Sequence, residues 1–238
     1  ETGWRVGGRL QWMWVAVSAQ VTVYMILPGR GFPQAALLLG ADYSGWLVQD
    51  GLRCYYRFEL AFHQSCLAHL LRRCRELAAV LPAGAAGFAL QVRSLLEQAL
   101  ALRDRYEQGE ISRHGLWTAA GRLEVRLDRL LARAWRTPSN RRLAEHLRHE
   151  QPHLLTFLRC PGLEATNNAA ERALRGVVIA RKVWGGNRTW NGARTHQILA
   201  SVLGTCRQQG QDAFARLVGL LRSPVGKILE LAPHARAP

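Results

Sequence analysis

The sequence predicts an α/β protein in which a small sheet core is interrupted by a long helical segment. Two runs, Leu10 to Val17 and Val21 to Leu27, are rich in Trp, Val and Tyr and turn near Ser18, which is typical of paired strands. From Gly84 to Trp135 the apolar residues recur instead with the helical period. A chain of 238 residues with 48% apolar content can bury a core of this kind.

A third strand is predicted after a short apolar helix from Pro33 to Leu39. The run Gly45 to Gly51 is apolar until it ends in Asp-Gly, as in a buried strand with an acid at its carboxyl end. Open α/β sheets bind ligands beyond the carboxyl ends of their strands, so Asp50 is a candidate site residue. A simple Asp-Gly turn is the alternative, and Asp42 at the other end of the strand is the competing acid.

A helix is predicted to open at Cys66 and to run to about Val80. Cys66 and His69 lie one turn apart and could face the same point, with His63 a turn earlier. A zinc site would need a fourth ligand and better-separated pairs, so a packed cysteine beside a hydrogen-bonded histidine is the simpler interpretation.

Residues 84–135 are predicted to form an antiparallel helical hairpin. Two apolar stripes at helical spacing meet across Gln108-Gly109-Glu110. The stripes are Val92, Leu95, Leu96, Ala99, Leu102 and Tyr106, and Leu116, Ala120, Leu123, Leu127, Leu130 and Leu131. The outer faces carry arginines, so the hairpin is interpreted as an insertion that packs on the core or pairs with a second copy. Another helix is predicted to start at Thr137-Pro138.

The stretch from Leu163 to Arg175 is the most informative part of the chain. Thr166 is predicted to cap a helix whose inward face carries Ala170, Leu174 and Val177. The opposite face would carry Asn168, Glu171, Arg172 and Arg175, so that one acid sits among amides and arginines. Adjacent asparagines disfavour helix, which indicates a function beyond helix stability. A helix cap followed by a surface ion pair is the alternative.

The net charge of +15 indicates a polyanionic partner, because each neutralised phosphate releases condensed counterions. Between Arg172 and Arg222 nine basic residues accompany one acid, Asp212. A glycine loop, Trp184 to Arg188, lies among these cations and could present backbone amides to phosphate, although it lacks P-loop spacing. Helices are predicted to follow, one with Ile198, Leu199, Val202, Leu203 and Cys206 inward, and a last one from Asp212 to Arg222.

The five cysteines show no repeated spacing and suggest no disulfide framework, which favours a reducing cytoplasm. Residues 10–27 are mostly apolar, but Gln11, Ser18, Gln20 and Thr22 interrupt them and a basic start is missing. We therefore expect a cytoplasmic protein with no membrane partner.

Taken together, several motifs resemble those of bacterial transposases of the insertion sequence sixty-six family. The resemblance covers about the whole chain and keeps the order of the motifs. The motifs are Glu1-Thr2-Gly3-Trp4-Arg5-Val6, Trp12-Met13-Trp14-Val15, Pro28-Gly29-Arg30-Gly31, Val48-Gln49-Asp50-Gly51, Cys66-Leu67-Ala68-His69, Asn167-Asn168-Ala169-Ala170-Glu171-Arg172-Ala173-Leu174-Arg175, Arg181-Lys182, Gly192-Ala193-Arg194 and Thr205-Cys206.

The resemblance implies a ribonuclease-H-like mixed sheet with a catalytic Asp-Asp-Glu triad that holds two Mg²⁺ ions. Asp50 would be the second Asp and Glu171 the Glu, both of them metal ligands. His69 and Asn168 would support the site. Insertion-sequence ends and target DNA would be the partners, together with a homo-oligomer or a full-length transposase. The residues expected to contact DNA phosphates are Arg172, Arg175, Arg181, Lys182 and Arg188.

The chain departs from the family pattern at its start. The family's first Asp stands directly before Glu1-Thr2, so that Asp and the first strand are expected to be missing. Glu1, as a poorly held terminal residue, is not expected to replace it. We therefore expect weak metal binding and no strand cleavage, because two-metal catalysis needs a bridging carboxylate. A non-catalytic DNA-binding or dimerising remnant is the alternative.

The resemblance also gives a domain layout. It predicts a core in residues 1–80, a helical insertion in 81–160, the C-terminal catalytic and basic helices in 161–222, and a tail in 223–238.

Overall fold

The structure is a computed structural model that describes residues 1–223. The chain divides into two compact units, which we call the sheet unit (Glu1–Tyr43 with the chain from Asn168 onward) and the helical unit (Ser44–Asn167). The predicted domain boundaries at residues 80 and 160 stay a prediction. Residues 44–80 lie in the helical unit, where the helix over Leu67–Val80 packs on the first helix of the hairpin. The predicted tail lies, except for Ser223, outside the described residues.

The sheet unit is built on an antiparallel sheet in the order β1-β2-β3. Its strands are β1 (Thr2–Val6), β2 (Arg9–Val17) and β3 (Thr22–Leu27). The predicted pair β2 and β3 is confirmed, with Trp14 opposite Met25, whereas β1 was not predicted. The buried face combines Trp4, Met13, Tyr24 and Ile26 with residues of the late helices.

Four helices complete the sheet unit within the described residues. They are α1 (Phe32–Leu39), α7 (Asn168–Trp184), α8 (Trp190–Gln208) and α9 (Ala213–Leu221). The predicted helix over Pro33–Leu39 is confirmed. The predicted last helix is confirmed too, with the Asp212 carboxylate capping its first turn by accepting from two backbone N–H groups.

Helix α8 covers the edge strand β3 with polar side chains. The Thr22 and Tyr24 N–H groups donate to Thr205 Oγ1 at 3.1 Å and to Ser201 Oγ at 2.9 Å, and Gln197 accepts from the next free N–H along the strand. These bonds satisfy backbone groups that an open sheet edge would leave unpaired.

The predicted inward face of α8 is therefore partly wrong. Val202 and Cys206 are buried, but Ile198, Leu199 and Leu203 are exposed by 40–51%. The N–H groups at the edge of β3 need hydrogen-bond acceptors, so α8 turns Ser201 and Thr205 toward this strand. Its leucines consequently face away from the strand.

The helical unit contains a parallel strand pair and a bundle of helices. The strands are β4 (Trp46–Gln49) and β5 (Phe62–Ser65), with a short 3₁₀ helix at Tyr55–Arg57 between them. The helices are α2 (Leu67–Val80), α3 (Ala83–Glu107), α4 (Arg113–Ala132), α5 (Pro138–Leu154) and α6 (Thr156–Arg159). Their core consists largely of leucine and alanine.

Periodicity predicted the hairpin correctly. Every residue of the two stripes is buried in α3 or α4 except Tyr106, which is half-buried against the same core. The helix starts near Cys66 and Thr137 are also confirmed.

The sheet differs more from the prediction than the helices do. β4 is only partly buried, with Trp46 exposed by 43%, because it pairs with a single short neighbour. The described strands form two sheets, where one mixed sheet was predicted. The apolar run at 10–27 forms β2 and β3, and no helix in residues 1–223 has the length and apolar character that a membrane span requires.

Candidate active site

Asp50 lies directly after the carboxyl end of β4, as predicted, and is exposed. Its Oδ1 accepts a hydrogen bond from the Leu52 N–H at 3.2 Å, which forms an Asx turn. Gly51 has a φ of 92°, a conformation that favours glycine. Asp50 therefore shapes the turn and at the same time presents a carboxylate to solvent.

A buried hydrogen-bond network, which we call the Glu150 network, supports this turn. The Gly51 N–H donates to Gln49 Oε1, and Gln49 Nε2 donates to the Tyr56 hydroxyl at 2.9 Å. Tyr56 and Ser65 both donate to the Glu150 carboxylate at 2.5 Å. Glu150 on α5 is only 2% exposed. This buried acid holds the chain after the Asp50 turn through Tyr56 and Ser65, and Tyr56 links it to Gln49 before the turn.

Histidine rings surround this network. The rings of His149 and His153 pack against Tyr56 at centroid distances of 4.8 and 5.7 Å, and His63 lies 5.2 Å from His153. Burial lowers the pKa of His153, and that of His146 on the same helix, against the opposing attraction of Glu150. Burial and the hydrogen bond to Glu150 raise the pKa of Tyr56 far above its usual value. The network is therefore built for a neutral tyrosine.

Cys66 and His69 face each other, as their spacing predicts. Burial alone would raise the pKa of the Cys66 thiol, but hydrogen bonds with His69 and the Asn167 amide bring it below its usual value. The Asn167 N–H donates to Cys66 Sγ at 3.3 Å, and the Cys66 N–H donates to the Gln49 carbonyl at 2.8 Å. Cys66 thus connects the end of β4 to the segment that leads into α7.

Glu171 lies in the first turn of α7, where the helix dipole favours an acid. Asn168, Glu171, Arg172 and Arg175 are all exposed and Val177 is buried, in agreement with the predicted faces. The helix begins at Asn168, which makes Asn167 the N-cap position, so the predicted cap at Thr166 is one residue too early.

The basic residues near the end of α7 differ in their surroundings. Arg181 is half-buried and donates to Thr2 Oγ1 at 3.0 Å and to the Gly3 carbonyl at 2.5 Å. Arg181 therefore holds α7 on β1, whereas Lys182 and Arg188 are exposed.

The glycine loop is a structural element rather than a cradle of free amides. The Asn187 N–H donates to the Arg5 carbonyl at 2.8 Å, the Gly7 N–H donates back to Asn187, and Trp4 Nε1 bonds to the Asn187 side chain. A Cβ at Gly186 would overlap the Arg5 carbonyl oxygen. Glycine is needed here because the loop backbone runs directly against β1.

The expectation that Glu1 is poorly held is wrong. Its carboxylate pairs with Arg30 at 2.6 Å, and its side chain is 2% exposed. The Arg30 guanidinium also stacks over the Trp12 ring at 4.5 Å. The loop after β3 therefore fixes the first residue.

Asp50 belongs to the helical unit and Glu171 to the sheet unit, and both offer the carboxylate oxygens that Mg²⁺ prefers. Within residues 1–223 no group of three or more His, Cys, Asp or Glu side chains is arranged to hold a metal ion.

Sequence reasoning missed Tyr56, Ser65 and Glu150. The local signal for Glu150 was its position on the apolar face of α5, between Leu147 and Leu154, which are fully buried. A carboxylate at such a position needs hydrogen-bonding partners. Its partners, 85 and 94 residues away in the chain, carry no local signal.

Comparison with known proteins agrees with the resemblance found in the motifs. An uncharacterized protein, y4hP, of Sinorhizobium fredii is 37% identical over 81 residues, which cover 32% of this chain and 15% of that protein. No solved structure matches the chain. A family model described as the transposase IS66 family matches residues 1–195, which is most of the 238. The chain therefore belongs to the IS66 transposase family.

Proposed function

We propose that this chain is a catalytic-domain portion of a DNA transposase, in which Asp50 and Glu171 are two of the three carboxylates of a ribonuclease-H-like Asp-Asp-Glu site. The family match over residues 1–195 carries the proposal. The position of Asp50 after β4 and the exposure of Glu171 on α7 are compatible with it. The intact enzyme would cut insertion-sequence DNA and join the freed 3′-hydroxyl to a target.

Different residues of the chain would bind the metal ions and the DNA. Asp50 and Glu171 supply carboxylate oxygens for the divalent ions that this family uses, and the Glu150 network keeps the Asp50 turn in one conformation. Arg172, Arg175, Lys182 and Arg188 would contact phosphates, whereas Arg181 is assigned mainly to holding α7 on β1. His69 and Asn168 would support the site. DNA in the cytoplasm is the proposed partner, and assembly with another transposase chain is proposed as well.

A second candidate function is a DNA-binding or dimerising protein without catalysis. The net charge of +15 and the exposed Arg172, Arg175, Lys182 and Arg188 support duplex binding in either form. In the non-catalytic form Asp50 and Glu171 would bind Mg²⁺ or Mn²⁺ only weakly and no strand would be cut.

The test is a nicking and binding assay on duplex DNA carrying an insertion-sequence end, with Mg²⁺ or Mn²⁺ at several salt concentrations. Salt-sensitive binding without nicking supports the non-catalytic form, because phosphate contacts release counterions. Nicking that is abolished by Glu171→Gln supports the catalytic form. A chain that neither binds nor cuts DNA contradicts both.

A further inference from the structure

Three arginines of helix α4, Arg122, Arg126 and Arg129, continue into Arg133, the residue that caps the end of the helix, and we call these four the α4 ridge. All four are exposed. At about 100° per residue they fall within about 60° of one another, and at about 1.5 Å per residue they span about 16 Å of the helix. They therefore form one continuous cationic flank on the helical unit.

The acids of α4 lie on a different flank and are engaged elsewhere. Glu124 pairs with Arg159 at 2.7 Å, and Asp128 accepts a hydrogen bond from Gln151. Within the described residues no arginine of the α4 ridge has an ion pair. Arginines four residues apart repel each other and destabilise a helix. The clustering of like charge is thus unfavourable for α4 alone.

The ridge borders a groove between α3 and α4. A cavity of about 250 Å³ in this groove is lined by Gln91, Arg126, Arg129, Leu130 and Arg133. Arg126 Nη1 donates to Gln98 Oε1 on α3 at 2.6 Å. None of the residues lining the cavity is acidic, so the groove is suited to a row of anions.

We propose that the α4 ridge binds the sugar–phosphate backbone of duplex DNA. The inference rests on the proposed function, which makes DNA the partner, and it adds a contact surface in the helical unit. About 16 Å of duplex axis carries about five phosphates on each strand, close to the number of arginines in the ridge. The contact depends on the charge of the DNA and not on its base sequence, because guanidinium groups bound to phosphates position a protein without selecting bases.

The test removes the charges of the α4 ridge and measures how DNA affinity depends on salt concentration. The ridge variant replaces Arg122, Arg126, Arg129 and Arg133 by glutamine, and a second variant replaces them by lysine. The matched control replaces four arginines that are salt-bridged in the same unit, namely Arg93, Arg103, Arg105 and Arg159, so that it loses the same charge. Binding to a labelled 30-base-pair duplex is followed by fluorescence anisotropy from 50 to 300 mM NaCl, and circular dichroism confirms folding.

We expect the slope of log K against log[salt] to become shallower by about 3.6 in the glutamine variant, since four phosphate contacts are lost and each removes about 0.9. Affinity at 50 mM NaCl should fall at least tenfold. The lysine variant should keep the slope of the unmodified chain, and the control should change it by less than one. Equal effects of the ridge variant and the control would overturn the proposal, and so would competition by polyglutamate as strong as that by DNA.

A third variant separates this inference from the proposed function. It replaces Arg172, Arg175 and Lys182 on α7 by glutamine. Loss of binding in this variant together with unchanged binding in the ridge variant refutes the α4 ridge alone. An unmodified chain without salt-dependent duplex binding refutes the ridge and the proposed function together.

Discussion

Replacing Tyr56 by phenylalanine tests whether the Glu150 network stabilises the helical unit. The change removes one hydroxyl that donates to both oxygens of the buried Glu150 carboxylate and accepts from Gln49. The ring and its contacts with His149 and His153 remain. Only the polar part of the network is therefore perturbed.

The expected loss of stability follows from the groups that lose a hydrogen bond when the hydroxyl is removed. A hydrogen bond to a charged acceptor contributes about 1.5–3 kcal/mol, and a buried group left without a partner costs about 1–3 kcal/mol. Ser65 still donates to Glu150, so the carboxylate keeps one hydrogen-bond donor. We expect the free energy of unfolding to fall by about 3 kcal/mol, and the melting temperature of a unit of this size to fall by about 10 °C.

The direction of the pKa shift of Tyr56 predicts how this stabilisation depends on pH. The pKa of Tyr56 is raised in the folded state, so the stabilisation is fully present below the ordinary tyrosine pKa of about 10 and is lost as pH rises through the folded value. The difference between the unmodified chain and Tyr56→Phe should hence be constant from pH 7 to 9 and shrink in strong alkali.

Chemical denaturation at several pH values measures this difference, and absorbance at 295 nm follows the tyrosine titration. Tyr106→Phe is the matched control, because Tyr106 lies half-buried in the same unit without a hydrogen bond from its hydroxyl to any described residue. If Tyr56→Phe costs no more than this control, or if no late-titrating tyrosine disappears, the network does not stabilise the fold in the way described.

Four further changes test other parts of the structure by denaturation or binding. Gly186→Ala should destabilise the sheet unit by more than about 2 kcal/mol, since its Cβ would overlap a β1 carbonyl. Gly176→Ala in α7, where the Cβ meets open space, should instead stabilise by up to about 1 kcal/mol, and equal effects would contradict the assignment of the loop. Thr205→Val should cost about 1–2 kcal/mol by leaving the Thr22 backbone unpaired, and a neutral change would show that α8 does not cap the edge strand. Glu171→Gln should leave duplex affinity unchanged or slightly higher, because it removes a negative charge from a basic face, whereas a large loss would indicate a structural acid.

The sequence predicted the helices well because each is a local pattern. The leucine stripes of α3 and α4 recur every three or four residues, and nothing distant was needed to place them. The exposed face of α7 with Glu171 followed from the same spacing.

The misses share a physical cause, which is that polar groups were satisfied by partners far away in the chain. The α8 face was misassigned because Ser201 and Thr205 bond to a strand edge more than 170 residues earlier. The Glu150 network was missed because its donors lie on the 3₁₀ helix and on β5. Glu1 was judged by its terminal position, whereas the pairing with Arg30 depends on the loop after β3.

The proposal that Asp50 and Glu171 hold the same metal ion is tested most directly by Mn²⁺ binding to the chain and its variants. Calorimetry or electron paramagnetic resonance would compare the unmodified chain with Asp50→Asn, Glu171→Gln and the double variant. Shared ligands give strongly non-additive losses, so we predict weak binding that either single change abolishes and the double change lowers no further. Binding that survives both changes, or losses that simply add, would show that the two acids do not hold the same ion.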